Sequence, residues 1–198
     1  MKEDTMAKGV IIGIAGPSAS GKTVVARHIA KRQSAYWTKY SDVLLRLARN
    51  RKLSTNKASL QALSTQLRHD HGEDFLTREL HRQLVLVPNK MVVVEGNRRM
   101  VDMHFLTSLA EEEGKELVLI YIDADPSVRF GRMLERLARE GQEPITRSMF
   151  DVLENDECEE ELPLVRDYVK AHGTVIDNTD LTLETLTKEV DKLLIVTV

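Results

Sequence analysis

The stretch Val10-Ile11-Ile12-Gly13-Ile14-Ala15-Gly16-Pro17-Ser18-Ala19-Ser20-Gly21-Lys22-Thr23 decides the fold. Val10–Ala15 is a short apolar run, read as a buried strand. Residues 16–23 fit G-x-x-x-x-G-K-[ST], and Val24, Val25, Ile29 and Ala30 then set a helical period. Strand, glycine loop and helix in that order form the context a phosphate-binding loop requires. Gly16 and Gly21 let the backbone curl so that the N–H groups of Ser18, Ala19 and Ser20 turn inward on an anion. The helix start adds its positive dipole end. Lys22 is placed to reach the β and γ phosphates, and the Thr23 hydroxyl to ligate Mg²⁺.

Outward from this loop the chain alternates. Ala35-Tyr36-Trp37-Thr38 reads as a short second strand, and Ser41 or Asp42 as the cap of a helix from Val43 to about Arg51. Leu60, Leu63 and Leu67 mark an amphipathic helix, and Phe75, Leu76, Leu80 and Leu84 another. Met91-Val92-Val93-Val94 is a β-branched run suited to the middle of a parallel sheet. A helix follows around Val101 to Glu113, then the strand Leu117–Ile122. Asp125-Pro126 gives an N-cap and a proline at the first helical position, opening a helix to about Arg139. Further elements are a helix from Ser148 to about Cys158, a strand Thr174-Val175-Ile176 and a helix from Leu181 to Leu194. The expectation is an α/β fold with a parallel sheet of about five strands and helices on both faces.

The 198 residues carry 28 Lys and Arg against 31 Asp and Glu, a net charge of -3, so an anion site must be local rather than a general basic surface. That balance, without an aromatic-basic run, speaks against nucleic acid as a partner. The single Cys158 excludes an internal disulfide framework and fits a cytoplasmic setting. No apolar run approaches the roughly 18–20 residues that span a bilayer. The acidic start Met1-Lys2-Glu3-Asp4 has no secretory segment behind it, and Trp37 is the only tryptophan, a ready optical probe.

The loop resembles that of the small P-loop kinases: nucleoside monophosphate kinases, dephospho-coenzyme A kinases and the archaeal adenylate-kinase-like proteins. The resemblance runs in patches over nearly the whole chain. It implies a single three-layer P-loop NTPase domain over 1–198, with a helical acceptor-binding insert at about 41–88 and a lid at about 129–147. It implies ATP and Mg²⁺ as cofactors, a small nucleotide as acceptor, no membrane partner, and a monomer or homodimer.

Three patches resemble the acceptor side. Tyr40-Ser41-Asp42-Val43-Leu44-Leu45-Arg46 is similar to a Gly-Asp-x-x-Arg stretch whose arginine grips the acceptor phosphate. Ser41 stands for the glycine, and Arg46 comes one residue late, about 100° of helix, so Arg49 is an alternative. Val94-Glu95-Gly96-Asn97-Arg98 resembles the strand-end Asp-Gly-x-x-Arg or Asp-Gly-x-Arg. There Glu95 would hold the water shell of Mg²⁺ or orient the acceptor, Gly96 would turn the chain, and Arg98, or the adjacent Arg99, would fork onto the phosphate. Arg129, Arg132, Arg136 and Arg139 fall at spacings of 3, 4 and 3 on one helical stripe, with Arg147 beyond a Gly141–Pro144 break. This resembles a lid, with Arg132 and Arg136 bearing on the transferring phosphoryl group. Val175-Ile176-Asp177-Asn178 resembles the strand-turn beside adenine, its backbone reading the base edge; an Asx turn is the plainer alternative.

Three features are discounted. Asp123 ends a strand but reads as part of the turn into a capped helix. His69-Asp70-His71 lacks a ligand spacing for a metal. Glu154, Asp156, Glu157, Glu159, Glu160 and Glu161 read as a solvated acidic face, and Cys158 has no basic neighbour to activate it. The sequence therefore favours an ATP-dependent phosphotransferase acting on a nucleoside monophosphate-like acceptor. Dephospho-coenzyme A kinase, with Asp42 as base for a sugar hydroxyl, and a regulatory P-loop ATPase are the alternatives.

Overall fold

A computed structural model describes residues 9–87, 91–155 and 159–197. The elements run β1 (Val10–Ala15), α1 (Lys22–Gln33), β2 (Tyr36–Lys39), α2 (Tyr40–Asn50), α3 (Lys57–His71), α4 (Phe75–Leu84) and β3 (Met91–Asn97). They continue as α5 (Met100–Glu112), β4 (Glu116–Asp123), α6 (Pro126–Arg139), α7 (Arg147–Glu154), α8 (Leu162–His172), β5 (Thr174–Asp177) and α9 (Leu183–Thr197). The five strands form one parallel sheet in the order β2-β3-β1-β4-β5. β1 lies between β3 and β4, the chain crossing from it to the edge strand β2, returning to β3 and then passing to β4 on the other side. A crevice therefore opens beyond the carboxyl end of β1, where open α/β sheets bind ligands.

Strand side chains alternate between two cores. Ile11, Val92, Val94, Leu119 and Tyr121 meet α2–α5 and α8 on one face. Ile12, Ile14, Val93, Ile120 and Ile122 meet Val25 and Ile29 of α1 and Leu186 and Val190 of α9 on the other. Residues buried on both faces explain why β1 and β3 read as continuous apolar runs. A small third cluster, Met133, Leu137 and Phe150, joins α6 to α7.

Asp125 caps α6, accepting from the Ser127 N–H at 2.7 Å, with Pro126 at its start. Elsewhere the elements depart from expectation. α2 begins at Tyr40, so Ser41 and Asp42 sit inside its first turn and cap nothing. α7 ends at Glu154, and Asp156, Glu157 and Cys158 lie outside the described residues. α8 is an unexpected helix whose Leu162, Val165 and Val169 are buried at helical spacing. Of the acidic run that precedes it, Glu160 is exposed, but three other described members are not a solvated face. Glu154 pairs with Arg129, Glu159 with Arg98 and Glu161 with Arg99. Among the described residues no helix is long and apolar enough to cross a membrane.

Candidate nucleotide and acceptor site

The crevice at the end of β1 is a cleft of about 1570 Å³. That exceeds the roughly 300–1,000 Å³ of a pocket for one small ligand, and it leaves room for a donor and an acceptor side by side. Its floor is the glycine loop. Gly16 has φ +130°, and any Cβ there would collide with the Ile122 carbonyl. Gly21 has φ +113°, and a Cβ there would lie 2.6 Å from the Asn178 amide. Ala19 also takes a left-handed backbone, φ 60°. The start of α1, with the amide donors that a helix start leaves unsatisfied, opens on the cleft. Ser18, Ala19, Gly21, Lys22 and Thr23 line it.

Lys22 is buried, and its ammonium donates to the Pro17 carbonyl at 2.5 Å. Burial holds its pKa well below 10.5, and the positive charge of Arg98 adds to that. A desolvated cation curled over an amide-lined loop fits a phosphate chain. Ser20 Oγ, buried and without a hydrogen-bond partner among the described residues, is a further polar group in this loop.

Glu95 stands where β3 ends, 5% exposed. Thr23 Oγ1 donates to its Oε1 at 2.5 Å, and Trp37 Nε1 to its Oε2 at 3.1 Å. A carboxylate and a hydroxyl together at the phosphate end of the loop are the oxygen donors that Mg²⁺ takes. The residues present therefore fit a nucleoside triphosphate with its cation.

The acceptor half differs from the sequence reading. Asp42 is exposed, 3.9 Å from Lys39, and does not line the cleft. Arg46 reaches Glu79 at 3.4 Å and ties α2 to α4; Arg49 is exposed away from the cleft. α2 packs on the core through Val43, Leu44, Leu47 and Ala48, which leaves this face outward. Arg99 is also spent elsewhere, donating to Glu161 at 3.0 Å with Glu73 at 3.4 Å. Gly96, at φ +88°, and Arg98 do line the cleft, Arg98 pairing with the buried Glu159. Three residues that sequence reading missed join them. Arg68 of α3, 8% exposed, donates to Ser64 Oγ at 2.7 Å. Asp102 accepts from the Arg98 and Arg99 N–H groups at 2.9 and 3.1 Å. Burial raises its pKa, opposed by those two donors. The Tyr40 phenol lies against it, its pKa pushed well up by burial and then by the Asp102 charge. Asp102 holds the start of α5 from its third position, but with Arg99 at the N-cap the sequence lacks the usual capping signature. Arg68, on the register of an apolar helix, carries no signal either.

The arginine stripe of α6 divides. Arg129 is 6% exposed and is no lid group: it donates to the Ala124 and Ser18 carbonyls at 3.0 and 3.3 Å and pairs with Glu154. Arg132, Arg136 and Arg139 line the cleft. Arg132 Nη2 donates to the Asn178 carbonyl at 2.7 Å, and its Nη1 is buried without a partner among the described residues. The Asn178 N–H is in turn given to the Asp123 carbonyl at 2.9 Å. The Asn178 N–H is thus engaged, and its carbonyl already accepts from Arg132 with one lone pair left over. Asp123 itself receives Arg166 at 2.9 Å.

The chain matches the AAA domain family AAA_18 over residues 12–162. It is 29% identical to a UPF0200 protein of Methanosarcina acetivorans over 184 residues, covering 93% of each chain. It is 31% identical to a uridine kinase of Deinococcus deserti over 160 residues, covering 67% of this chain and 69% of that one. In three dimensions a structure from Chloroflexus aurantiacus superposes with a TM-score of 0.59 at 16% identity, covering 98% of this chain and 100% of the other. A gluconokinase from Sinorhizobium meliloti gives 0.55 at 14%, covering 96% and 93%. The glycine loop, the strand order and these matches agree: the chain belongs to the AAA_18 family of AAA domains and has the α/β fold of the P-loop kinases.

Proposed function

We propose that the protein is an ATP-dependent phosphotransferase acting on a phosphate-bearing acceptor of the nucleoside monophosphate type. The observation that carries this reading is the convergence of two cation sets on one cleft: Lys22 with Arg132 and Arg136 at the donor end, Arg68 and Arg98 at the other. When bound, Mg²⁺·ATP supplies the phosphoryl group and part of the neutralising charge. Gly16–Thr23 hold the donor phosphates through backbone amides, Lys22 reaches them, and Thr23 and Glu95 face the cation. Arg98 and Arg68 hold the acceptor anion in line. Arg132 and Arg136 bear on the charge that spreads over the equatorial oxygens in the transition state. A phosphate nucleophile, with a second pKa of about 6, is already largely dianionic at neutral pH and needs no base.

The uridine kinase relative favours a second reading, transfer to a hydroxyl. That chemistry gains from a carboxylate beside the acceptor oxygen. Asp42, the candidate base for it, is exposed and does not line the cleft, whereas Asp102 does, with both the Arg98 and Arg99 N–H groups on its carboxylate. Steady-state ADP release with ATP and Mg²⁺ separates the readings when it is screened against nucleoside monophosphates, nucleosides, gluconate and dephospho-coenzyme A. Turnover on monophosphates is expected. Turnover confined to unphosphorylated acceptors or dephospho-coenzyme A overturns the first reading, and ADP release that no acceptor stimulates supports a regulatory ATPase.

A further inference from the structure

Glu95 is held at both oxygens. Thr23 takes Oε1 and the indole N–H of Trp37 takes Oε2. The first contact belongs to the glycine loop. The second comes from behind the site, because Trp37 does not line the cleft. It stands on β2 in register with Val93 of β3, with Lys39 opposite Glu95. Trp37 and Lys39 therefore share a face of β2 with Val93 and Glu95 on β3. The Lys39 ammonium lies over the indole at 5.4 Å from its centroid, and the ring packs on the core formed with α1 and α9. The indole is thus fixed on two sides, and its one donor is aimed at one carboxylate oxygen.

We propose that Trp37 is a positioning residue for the divalent-cation end of the donor site, acting through Glu95. This rests on the donor reading above and goes beyond it. The torsion that turns a glutamate carboxylate about its last bond is broad. A buried Glu95 with one partner can swing; with Thr23 and Trp37 it presents a fixed plane. Each carboxylate oxygen accepts one of these donors and keeps a lone pair. The Thr23 hydroxyl gives its proton to Glu95 and keeps its own lone pairs. Trp37 is a donor only, so it cannot compete for the cation. Loss of such an outer contact commonly costs about 10–100-fold in metal affinity.

The test compares ATP affinity with excess Mg²⁺ and in EDTA, by calorimetry, for the wild type and Trp37→Phe. Phenylalanine keeps ring packing and removes the N–H. The expected result is that the affinity gained from Mg²⁺ falls about tenfold in Trp37→Phe, while the metal-free affinity moves by less than about twofold. A Glu95→Gln background should show the loss already and gain little more from Trp37→Phe, the mark of two residues acting through one contact. The wild type supplies a readout without mutation: emission of the sole tryptophan should shift with Mg²⁺·ATP and much less with ATP in EDTA. An unchanged Mg²⁺ gain in Trp37→Phe overturns the proposal, as do equal losses in both buffers, or silent emission where calorimetry sees binding. No ATP binding by the wild type in either buffer overturns the donor reading, and this proposal with it.

Discussion

The side-chain amide of Asn178 donates to the backbone carbonyl of Ser20 at 2.7 Å, joining the end of β5 to the glycine loop. The same residue gives its N–H to Asp123 and accepts Arg132 at its carbonyl. The loop, the edge of the sheet and the arginine face of α6 therefore meet on one buried asparagine. Asn178→Ala leaves the Ser20 carbonyl without that donor. It should cost about 1–3 kcal/mol of stability and weaken ATP binding about tenfold. Denaturant unfolding and nucleotide calorimetry measure the two, and an ATP affinity unchanged from wild type would show that the loop holds its shape alone.

Lys22→Ala should lower kcat by about 10²–10³-fold, the usual cost of removing one preorganised group from a transition state. The circular dichroism spectrum should be unchanged. Burial depresses the Lys22 pKa, so the free protein loses this proton as pH rises through a value below 10.5. Bound phosphates favour the charged form. The profile of kcat/KM for ATP, which reports the free protein, should therefore fall on its alkaline side at lower pH than the kcat profile does. For stability the sign is that of a carboxylate whose pKa folding depresses: the unfolded chain holds this proton to higher pH, so the cost of burying the charge is relieved progressively as pH rises between the folded and unfolded values.

Arg98 has a second obligation, since it neutralises Glu159, whose side chain is 2% exposed. Arg98→Ala strands that carboxylate and should destabilise the protein by about 3 kcal/mol. The double variant Arg98→Met with Glu159→Gln removes the stranded charge and should recover most of the loss. In both, the KM for the acceptor should rise more than the KM for ATP. A rise confined to ATP would place Arg98 on the donor.

Arg136 and Arg129 share a helix and should behave as opposites. Arg136 is exposed to the cleft, so Arg136→Ala should lower kcat with little change in either KM and no change in unfolding midpoint. Arg129 is buried between two carbonyls and Glu154. Arg129→Met should cost about 3–5 kcal/mol of stability, a loss read directly from urea midpoints.

The periodicity of the strands, the glycine loop and Asp125-Pro126 were legible because each rests on local rules: burial on both faces, backbone conformation and capping. Glu95 and Arg98 were legible for the same reason, since a strand end beside the loop must face the crevice. Asp42, Arg46 and Arg129 were misplaced because the buried face of a helix depends on what packs against it. α2 meets the core through Val43 and Ala48, and α6 buries its first arginine against the loop. The acidic run hid α8 because charge alone cannot distinguish a solvated carboxylate from one held by a distant arginine. Arg98 and Glu159 are 61 residues apart, a pairing only the topology creates. Arg68 left no trace, since beyond Ser64 of its own helix the groups it acts with, Tyr40 and Asp102, come from α2 and α5.

The contact between Ser20 and Asn178 spans 158 positions of the chain. During synthesis, β1, α1 and β3 leave the ribosome long before β5, so the glycine loop forms while its last brace is still unmade. Contacts of such separation close late and slowly. A nascent chain halted before Asn178 should hold nucleotide weakly, and tight binding should begin only as β5 docks beside β4. The nucleotide then stabilises the finished fold over every partial one by mass action, and its capture marks the docking of β5.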